Sequence, residues 1–190
     1  WWFAVVVGTA CQRLVPFGVA SAMRVITYNL HKGKGPRGGS ILAEAVHSLQ
    51  ERRPDILMCQ EVMHAASELL HQAHFITEVL GHDHAFGPNV HRQRGSHGNA
   101  TFAQMGIDRV MNVDASESFL ERRGILRTWL SLDEQPLEAL NVHFSLTARQ
   151  RRRQWSKLMA ALPDSERVPV VVGGDFNDWA GGLDRLALSS

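Results

Sequence analysis

The chain has 190 residues, a formal net charge of +1 and an apolar content of 44%. This length and composition are enough to bury one substantial core and predict a single soluble domain. The near-neutral charge excludes a global field that would hold the protein on nucleic acid or an anionic membrane, so a polyanion must be bound by local clusters. The two cysteines, Cys11 and Cys59, are too few to form a disulfide framework.

Residues 1–22 are predicted to be separate from the domain over residues 23–190. They are apolar, lack an initiating methionine and run abruptly into Met23. Arg13 and Pro16 interrupt the apolar run, which is too short for a spanning helix of roughly 20 apolar residues. We expect non-native upstream sequence and a cytoplasmic protein. The alternative is a truncated signal peptide ending in the small residues Ala-Ser-Ala, which would imply export, although no positively charged region precedes it.

Short β-rich runs alternate with segments of helical periodicity after Met23, which predicts layered α/β architecture. The predicted elements, in chain order, are a strand over 24–28, a helix with an apolar stripe over 41–49, a strand over 56–60, a helix over 69–80, strands over 127–132 and 137–142, a helix over 148–162 and a strand over 168–172. Ser40 and Thr147 are the expected N-caps of the first and third helices, and Gly81 is the expected end of the second.

Turn-forming residues connect two of these strands. Asp133 and Pro136 lie between the strands over 127–132 and 137–142, which predicts an antiparallel hairpin and therefore a mixed sheet. The segment FGPNVHRQRGSHGNATF, residues 86–102, is rich in Gly, His and Arg and is predicted to be a loop. The third helix is expected to turn a run of arginines toward solvent, where they form a solvated face. The alternative is that they bring positive charge toward a phosphate-bearing substrate. These arginines are Arg149, Arg151, Arg152 and Arg153.

Polar side chains follow four of the predicted strands. They are Asn29, Glu61, His143, and the pair Asp175 and Asn177. Ligands of α/β sheets collect beyond the carboxyl ends of strands, so these groups are expected to converge. Magnesium prefers oxygen ligands and commonly takes one or two carboxylates, which makes Glu61 the first candidate ligand. The alternative is that each residue only turns the chain or caps a helix.

Asp175 and Asn177 are separated by one residue. In an extended segment both side chains would point to the same face. Asp175 could then hold or deprotonate an attacking water, while the uncharged Asn177 donates hydrogen bonds to phosphoryl oxygens. Substrate contacts are predicted from the Gly-rich segment, because loops on a scaffold commonly carry them. The residues predicted to bind substrate there are Arg94, His97 and Asn99.

Six segments resemble the endonuclease/exonuclease/phosphatase superfamily, which includes DNase I-like nucleases, sphingomyelinases and inositol-polyphosphate phosphatases. The resemblance runs from Met23 to about Leu183. The segments are ITYNLHKG, DILMCQEV, HGNATF, ERRGIL, NVHFSLTARQRRRQW and VVVGGDFNDW. The resemblance implies an α/β fold with four layers, an α/β/β/α sandwich of two mixed sheets.

The resemblance also implies a role for each residue at the strand ends. Glu61 matches the family's metal-ligand glutamate, and Asn29 matches an asparagine of the metal and phosphate site. Asp175 and Asn177 match the GDxN pair, with Asp175 orienting or deprotonating water. His143 matches a histidine that contacts the scissile phosphate or acts near the leaving group. The implied cofactor is Mg²⁺, with Mn²⁺ as a substitute.

One family motif has no counterpart here. The family normally carries a Ser-Asp-His motif tens of residues beyond GDxN, whereas thirteen residues follow Asn177. We therefore expect that the final strands are missing and that this chain turns over poorly. The leading prediction is a metal-dependent phosphodiesterase. Its expected substrate is nucleic acid, phospholipid or inositol phosphate, and we expect a monomer without a stable protein partner. The alternative is a catalytically incomplete module that binds phosphate or metal.

Overall fold

The structure is a computed structural model that describes residues 3–7, 10–14, 22–65, 72–93, 95–132, 135–163 and 168–178. Ten strands and three α-helices lie in these ranges. The strands are β1 (Phe3–Val7), β2 (Ala10–Leu14), β3 (Met23–Asn29), β4 (Ile56–Ala65), β5 (Asp83–Arg92), β6 (Gly95–Ala103), β7 (Gly106–Asp114), β8 (Gly124–Leu132), β9 (Gln135–His143) and β10 (Val170–Asp175). The helices are α1 (Leu42–Glu51), α2 (Gln72–Leu80) and α3 (Ala148–Ala161).

The strands form two five-stranded mixed sheets. The first has the order β1-β10-β9-β8-β7, and the second has the order β2-β3-β4-β6-β5. In the first sheet β10 is parallel to β1 and β9, whereas β8 is antiparallel to β9 and β7. In the second sheet only the pair of β3 and β4 is parallel. The implied pair of mixed sheets is confirmed.

Three apolar clusters define the layers. One lies between the sheets and joins Val25 and Met58 of the second sheet to Leu130 and Val171 of the first. A second packs α1 and α2 on the outer face of the second sheet, and a third packs α3 on the outer face of the first. Each sheet is therefore apolar on both faces, which explains the continuous apolar runs in its central strands. The four-layer α/β/β/α arrangement is confirmed.

Most of the predicted elements are confirmed within one to three residues. The hairpin of β8 and β9 is antiparallel, although Pro136 lies inside β9 and Asp133 lies outside the described residues. Gly81 ends α2 with a φ of 67°, in the left-handed region that glycine adopts easily. The Thr147 side chain accepts a hydrogen bond from the Gln150 amide, as expected of an N-cap.

The predicted loop over 86–102 is wrong. This segment forms most of β5 and β6, which pair in an antiparallel hairpin. Its glycines allow close backbone approach, because a Cβ on Gly98 would lie 1.9 Å from the Gly87 carbonyl oxygen. Glycine and histidine conceal the alternation of apolar and polar residues that identifies a strand. The neighbouring strand β7 was also missed, because it is a largely exposed edge strand whose apolar residues do not alternate regularly with polar ones.

Two details of the predicted helices are also wrong. Ser40 is not the cap of α1, since Ile41 holds that position without a side-chain hydrogen bond. Arg151 does not face solvent. It is 8% exposed, donates to the Leu146 carbonyl oxygen at 2.5 Å and contacts Asp178 at 3.4 Å. This arginine ties α3 to the segment that follows β10.

Residues 3–7 and 10–14 form β1 and β2, at one edge of each sheet. The prediction that residues 1–22 are not native, or belong to a signal segment, stays a prediction. Among the described residues, no helix combines the length and the apolar character needed to cross a bilayer.

Candidate active site

The ends of three strands meet at one edge of the sandwich, beside a bulge in a fourth strand, β4. Asp175 ends β10 and is in register with His143, which ends β9. Asn29 ends β3 of the other sheet, and its Nδ2 donates to Asp175 Oδ2 at 2.9 Å. The His143 Nε2 lies 3.8 Å from the same carboxylate oxygen, which is too long for a hydrogen bond. The Asn29 side chain therefore joins the two sheets at the predicted site.

Glu61 lies at a β-bulge in β4. The register with β6 shifts between Cys59 and Val62, and Glu61 has a φ of 54°. A left-handed conformation costs a non-glycine residue about 1 kcal/mol or more, and such strain concentrates at functional positions. The bulge lies where β4 passes the end of β3. At this point the Leu30 amide, just after β3, donates to the Gln60 carbonyl of β4 at 2.9 Å.

The Glu61 carboxylate contacts a lysine from a strained turn. Lys32 Nζ lies 3.0 Å from Glu61 Oε2, and its backbone φ is 59°. His31 has a φ of 48°, and its amide donates to Asn29 Oδ1 at 3.0 Å. The Gln72 side chain holds this turn to β4, because it donates to the Lys32 carbonyl at 2.8 Å and accepts from the Met63 amide at 2.9 Å. Gln72 thus positions Lys32 beside Glu61.

Opposing effects act on the Glu61 carboxyl. Burial raises its pKa, but the hydrogen bond and positive charge of Lys32, with smaller contributions from His143 and His31, outweigh burial and lower the pKa below its usual value. The ionised carboxylate is therefore the stable form at neutral pH. Its side chain is 20% exposed, so one edge is accessible from solvent.

His143 is held neutral at physiological pH. Burial and the nearby Arg123 charge lower its pKa to about 4, although Asp175, Glu61 and Glu121 act in the opposite direction. The side chain is only 5% exposed. A neutral imidazole offers one N–H donor and one acceptor, so His143 can donate a hydrogen bond to a bound anion without carrying a charge.

The low pKa of His143 predicts that acid destabilises the fold. The unfolded chain binds a proton at this histidine below pH 6.5, whereas the folded chain does so only near pH 4. Between these values the unfolded state binds more protons, so stability falls as the pH falls. At pH 5 the loss should be on the order of 1 to 2 kcal/mol. Denaturant unfolding at pH 7.5 and pH 5 measures it, and His143→Gln should lose less stability than wild type.

The matched control is the exposed His47 on α1. His47→Gln should retain the acid sensitivity of the wild-type protein. Equal losses of stability in wild type and His143→Gln would contradict a buried neutral histidine at this position.

The backbone conformation of residues 174–177 explains the sequence pattern Gly-Asp-x-Asn. Gly174 has a φ of 150°, and a Cβ there would lie 2.0 Å from the Val142 carbonyl oxygen. Asn177 has a φ of 51° and donates its amide to Asp175 Oδ1 at 3.0 Å, which closes a turn stabilised by the carboxylate. Its Nδ2 donates to the Phe144 carbonyl at 2.8 Å. The expected extended conformation of residues 175–177 is therefore wrong. The Asn177 side chain is buried against the Phe144 carbonyl, and its hydrogen bond to a phosphoryl oxygen stays a prediction.

Buried amide side chains support the site from between the sheets. Gln60 donates to Asn141 Oδ1 at 2.8 Å, and Asn141 donates to the carbonyls of Cys59 and Ala100. Asn99 donates to the Gly124 and Asn141 carbonyls, both at 3.0 Å, and is fully buried. The predicted substrate contact by Asn99 is therefore corrected, since its side chain is buried between the sheets. The network fixes the strand on each side of the Glu61 bulge.

The other two predicted substrate residues have different outcomes. His97 is partly exposed in β6, and together with Lys32 it lines a surface groove. Arg94 lies outside the described residues. Sequence reasoning missed Lys32, Gln72 and the interior amides. Gln60 and Asn141 carried a usable signal, because each is a polar residue within a strand that is otherwise apolar, whereas the contact of Lys32 depends on the bulge.

The donors at this edge fit a hard divalent cation. They comprise the Glu61 and Asp175 carboxylates and the Asn29 amide oxygen, which is the oxygen-only set that magnesium prefers. Glu61 already pairs with a cation, the Lys32 ammonium. In the described ranges, no three His, Cys, Asp or Glu side chains are grouped so as to hold a metal. A cation here would therefore retain waters or substrate oxygens, as magnesium commonly does.

Comparison with known proteins gives a consistent match. The profile of the Endonuclease/Exonuclease/phosphatase family matches residues 26–190. The curated protein YbhP of Escherichia coli strain K12 is 32% identical over 175 residues, which cover 83% of this chain and 68% of YbhP. The matched residues include Asn29, Glu61, His143, Asp175 and Asn177.

Solved structures share the fold. An endonuclease/exonuclease/phosphatase from Beutenbergia cavernae superposes with a TM-score of 0.70 at 20% identity, over 82% of this chain and 47% of that protein. This chain thus spans about half the length of that protein. The mannosyl-6-phosphatase of Bacteroides thetaiotaomicron superposes with a TM-score of 0.65 at 20% identity, over 82% of this chain and 65% of the phosphatase.

Proposed function

Because this chain belongs to the endonuclease/exonuclease/phosphatase family, whose members are hydrolases of phosphate esters that generally use divalent metal ions, we propose that it is a magnesium-dependent phosphodiesterase. The supporting observation is the 2.9 Å hydrogen bond between Asn29 and Asp175, which brings the ends of the two sheets together beside Glu61. A helix-capping role alone would not require these side chains to meet across two sheets.

Each residue at the site has a distinct role in the proposed reaction. Glu61 and Asn29 would hold the cation, which when bound would neutralise charge on the phosphoryl oxygens as a Lewis acid. Asp175 accepts the Asn29 amide on one carboxylate oxygen and the Asn177 amide on the other. These two bonds fix the orientation of the carboxylate, which is 21% exposed and can contact a water. Asp175 is therefore the proposed base.

The reaction adds water across one P–O ester bond. The water oxygen bonds to phosphorus, the bond from phosphorus to the leaving oxygen breaks, and Asp175 accepts one proton of the water. The leaving oxygen takes a proton from solvent and departs as an alcohol, and Asp175 returns its proton to solvent. His143 is neutral and donates a hydrogen bond to a phosphoryl oxygen, where negative charge accumulates in the transition state.

A phosphomonoester is the second candidate substrate class, because the fold is shared with a mannosyl-6-phosphatase. The two classes differ in the charge of the reacting phosphate, which is higher in a monoester. Among the described residues, Lys32 and the half-buried Arg123 are cations close to the site. Arg123 pairs with Glu121, whereas a metal ion at Glu61 would release Lys32 to face the phosphate. A single released cation favours the diester with its single charge.

Hydrolysis of bis-p-nitrophenyl phosphate and of p-nitrophenyl phosphate tests the proposal. We expect release of p-nitrophenol from the diester with Mg²⁺ or Mn²⁺, none with EDTA, and a slower reaction with the monoester. Equal rates with and without EDTA would contradict a metal-dependent reaction. Preference for the monoester would favour the second substrate class.

Lys32 is expected to compete with the metal ion for Glu61. Lys32→Met removes the ammonium from the carboxylate, so the affinity for Mn²⁺ should increase by about two- to fivefold, the range of a partly exposed ion pair. Titration calorimetry with Mn²⁺ measures this affinity in the absence of substrate. The matched control is Lys34→Met, two residues along the same turn, which should leave the affinity unchanged. Weaker binding by Lys32→Met would show that the lysine supports the metal site.

A further inference from the structure

Three apolar side chains are exposed at the active-site end of the sandwich. Leu120 is 99% exposed, Phe119 is 90% exposed and Leu146 is 67% exposed. They are the three most exposed large apolar side chains in the described part of the chain. Single exposed apolar side chains are common on protein surfaces. Two neighbouring apolar side chains that are almost completely exposed indicate a contact surface.

Phe119 and Leu120 lie at the tip of the segment 115–123 between β7 and β8. β8 begins where β9 ends, with Ile125 in register with Val142, one residue before His143. The segment therefore lies at the same end of the sheet as the site. Leu146 follows His143 by three residues and lies at this end as well.

The base of this segment is held in place while its tip projects. Ala115 donates its amide to the Arg123 carbonyl at 3.0 Å, and Arg123 donates its own amide to Ser116 Oγ at 3.1 Å. Glu117 pairs with Lys157 of α3 at 2.7 Å and with Arg153 at 3.3 Å. A tip on a fixed base loses little conformational entropy on binding, so the segment is preorganised for a contact.

A groove runs from this tip to Lys32, the residue that pairs with Glu61. It has a volume of about 500 Å³, and its walls include Lys32, His91, His97, Phe119, Leu120 and Arg123. Lys32 contacts the proposed metal ligand Glu61, and the Arg123 charge acts on His143. A molecule that contacts the apolar tip can therefore extend into the site.

We propose that Phe119, Leu120 and Leu146 insert into a phospholipid bilayer and present the site to the phosphodiester of a lipid headgroup. This inference rests on the proposed function and names its substrate class. Arg122 stacks on the Phe119 ring, with its guanidinium carbon 5.4 Å from the ring centroid. When the apolar tip lies among the acyl chains, this cation lies at the level of the phosphates, as in other interfacial segments.

A protein partner fits this surface less well. Phe119 and Leu120 together offer on the order of 400 Å² of apolar area, whereas a stable interface buries about 800 Å² on each partner. Nucleic acid also fits less well, because single strands are bound by a series of aromatic faces and basic side chains. Leu120 has no aromatic face, so Phe119 is the one aromatic side chain in the segment 115–123.

Sedimentation with vesicles of phosphatidylcholine and phosphatidylglycerol tests the proposal. The wild-type protein should sediment with the vesicles. The double substitution Phe119→Ser and Leu120→Ser should weaken vesicle binding by at least about tenfold, the effect of removing two buried apolar side chains. It should reduce hydrolysis of the vesicle phospholipid in parallel and lower the rate with soluble bis-p-nitrophenyl phosphate much less.

Two further variants separate the alternatives. Met111→Ser removes an apolar side chain exposed on β7, away from the tip, and should bind vesicles like wild type. Phe119→Leu keeps the apolar character and removes the aromatic face, so it should retain vesicle binding. Wild-type protein that does not bind vesicles would overturn the proposal, as would a double variant that binds them normally. The proposal would also be overturned if the wild-type protein bound single-stranded DNA and Phe119→Leu did not. Vesicle binding without hydrolysis of the soluble diester would instead reject the proposed function alone.

Discussion

The substitution Glu61→Gln is expected to lower the rate of metal-dependent diester hydrolysis by about a hundredfold or more. Glutamine keeps the size of the side chain and removes the negative charge that pairs with Lys32 and would hold the proposed cation in place of the lysine. Loss of a bound Lewis acid removes several kcal/mol of transition-state stabilisation, and each 1.4 kcal/mol is about a factor of ten in rate. The affinity for Mn²⁺, measured by calorimetry, should fall at least about tenfold.

The matched control for this substitution is Glu44→Gln, an exposed acid in the first turn of α1. It should leave both the rate and the Mn²⁺ affinity unchanged. Circular dichroism should show that Glu61→Gln is folded, because the bulge is held by backbone bonds and buried amides. A folded Glu61→Gln protein with wild-type metal affinity would place the metal at other residues.

The second large effect is expected for Asp175→Asn. The rate of diester hydrolysis should fall by about a hundred- to ten-thousandfold, the usual contribution of a positioned base, because an amide cannot accept a proton from water. Asparagine can still accept the Asn177 amide and contact Asn29, so the turn should persist. The affinity for Mn²⁺ should fall much less than it does in Glu61→Gln. Steady-state kinetics and calorimetry together distinguish the role of a base from the role of a metal ligand.

Asp178→Asn is the matched control for this prediction. Asp178 lies three residues along the same segment and pairs with Arg151, with a side chain only 6% exposed. Its substitution should lower the free energy of unfolding, since it weakens a buried ion pair, and should leave the rate per folded molecule unchanged. If Asp175→Asn retains most of the wild-type rate, the base lies elsewhere.

The strands that carry the site were predictable from the sequence. Each of them is an apolar run that ends in or contains a polar side chain; these strands are β3, β4, β9 and β10. Ligands of α/β sheets generally bind beyond the ends of strands, so these polar groups could be expected to lie close together. The two-sheet architecture was not predictable from periodicity, because a strand covered by a helix and a strand covered by another sheet are equally apolar. The family resemblance supplied that information.

The remaining features depend on contacts between distant residues. The β-bulge at Glu61 needs the pairing of β4 with β6, and the strand β6 was hidden by glycine and histidine. The contact of Lys32 with Glu61 depends on two consecutive residues in left-handed conformations, which their side chains do not favour. The exposure of Phe119 and Leu120 could not be read from the sequence, since apolar residues next to each other are more often buried.

The most direct test of the site is the position of Mn²⁺ in crystals grown with that ion, located by anomalous diffraction. We predict an anomalous peak within coordination distance of the Glu61 carboxylate and the Asn29 amide oxygen, with the Lys32 ammonium displaced from Glu61. A peak at other residues, with Lys32 still paired to Glu61, would contradict a metal site at the ends of these strands.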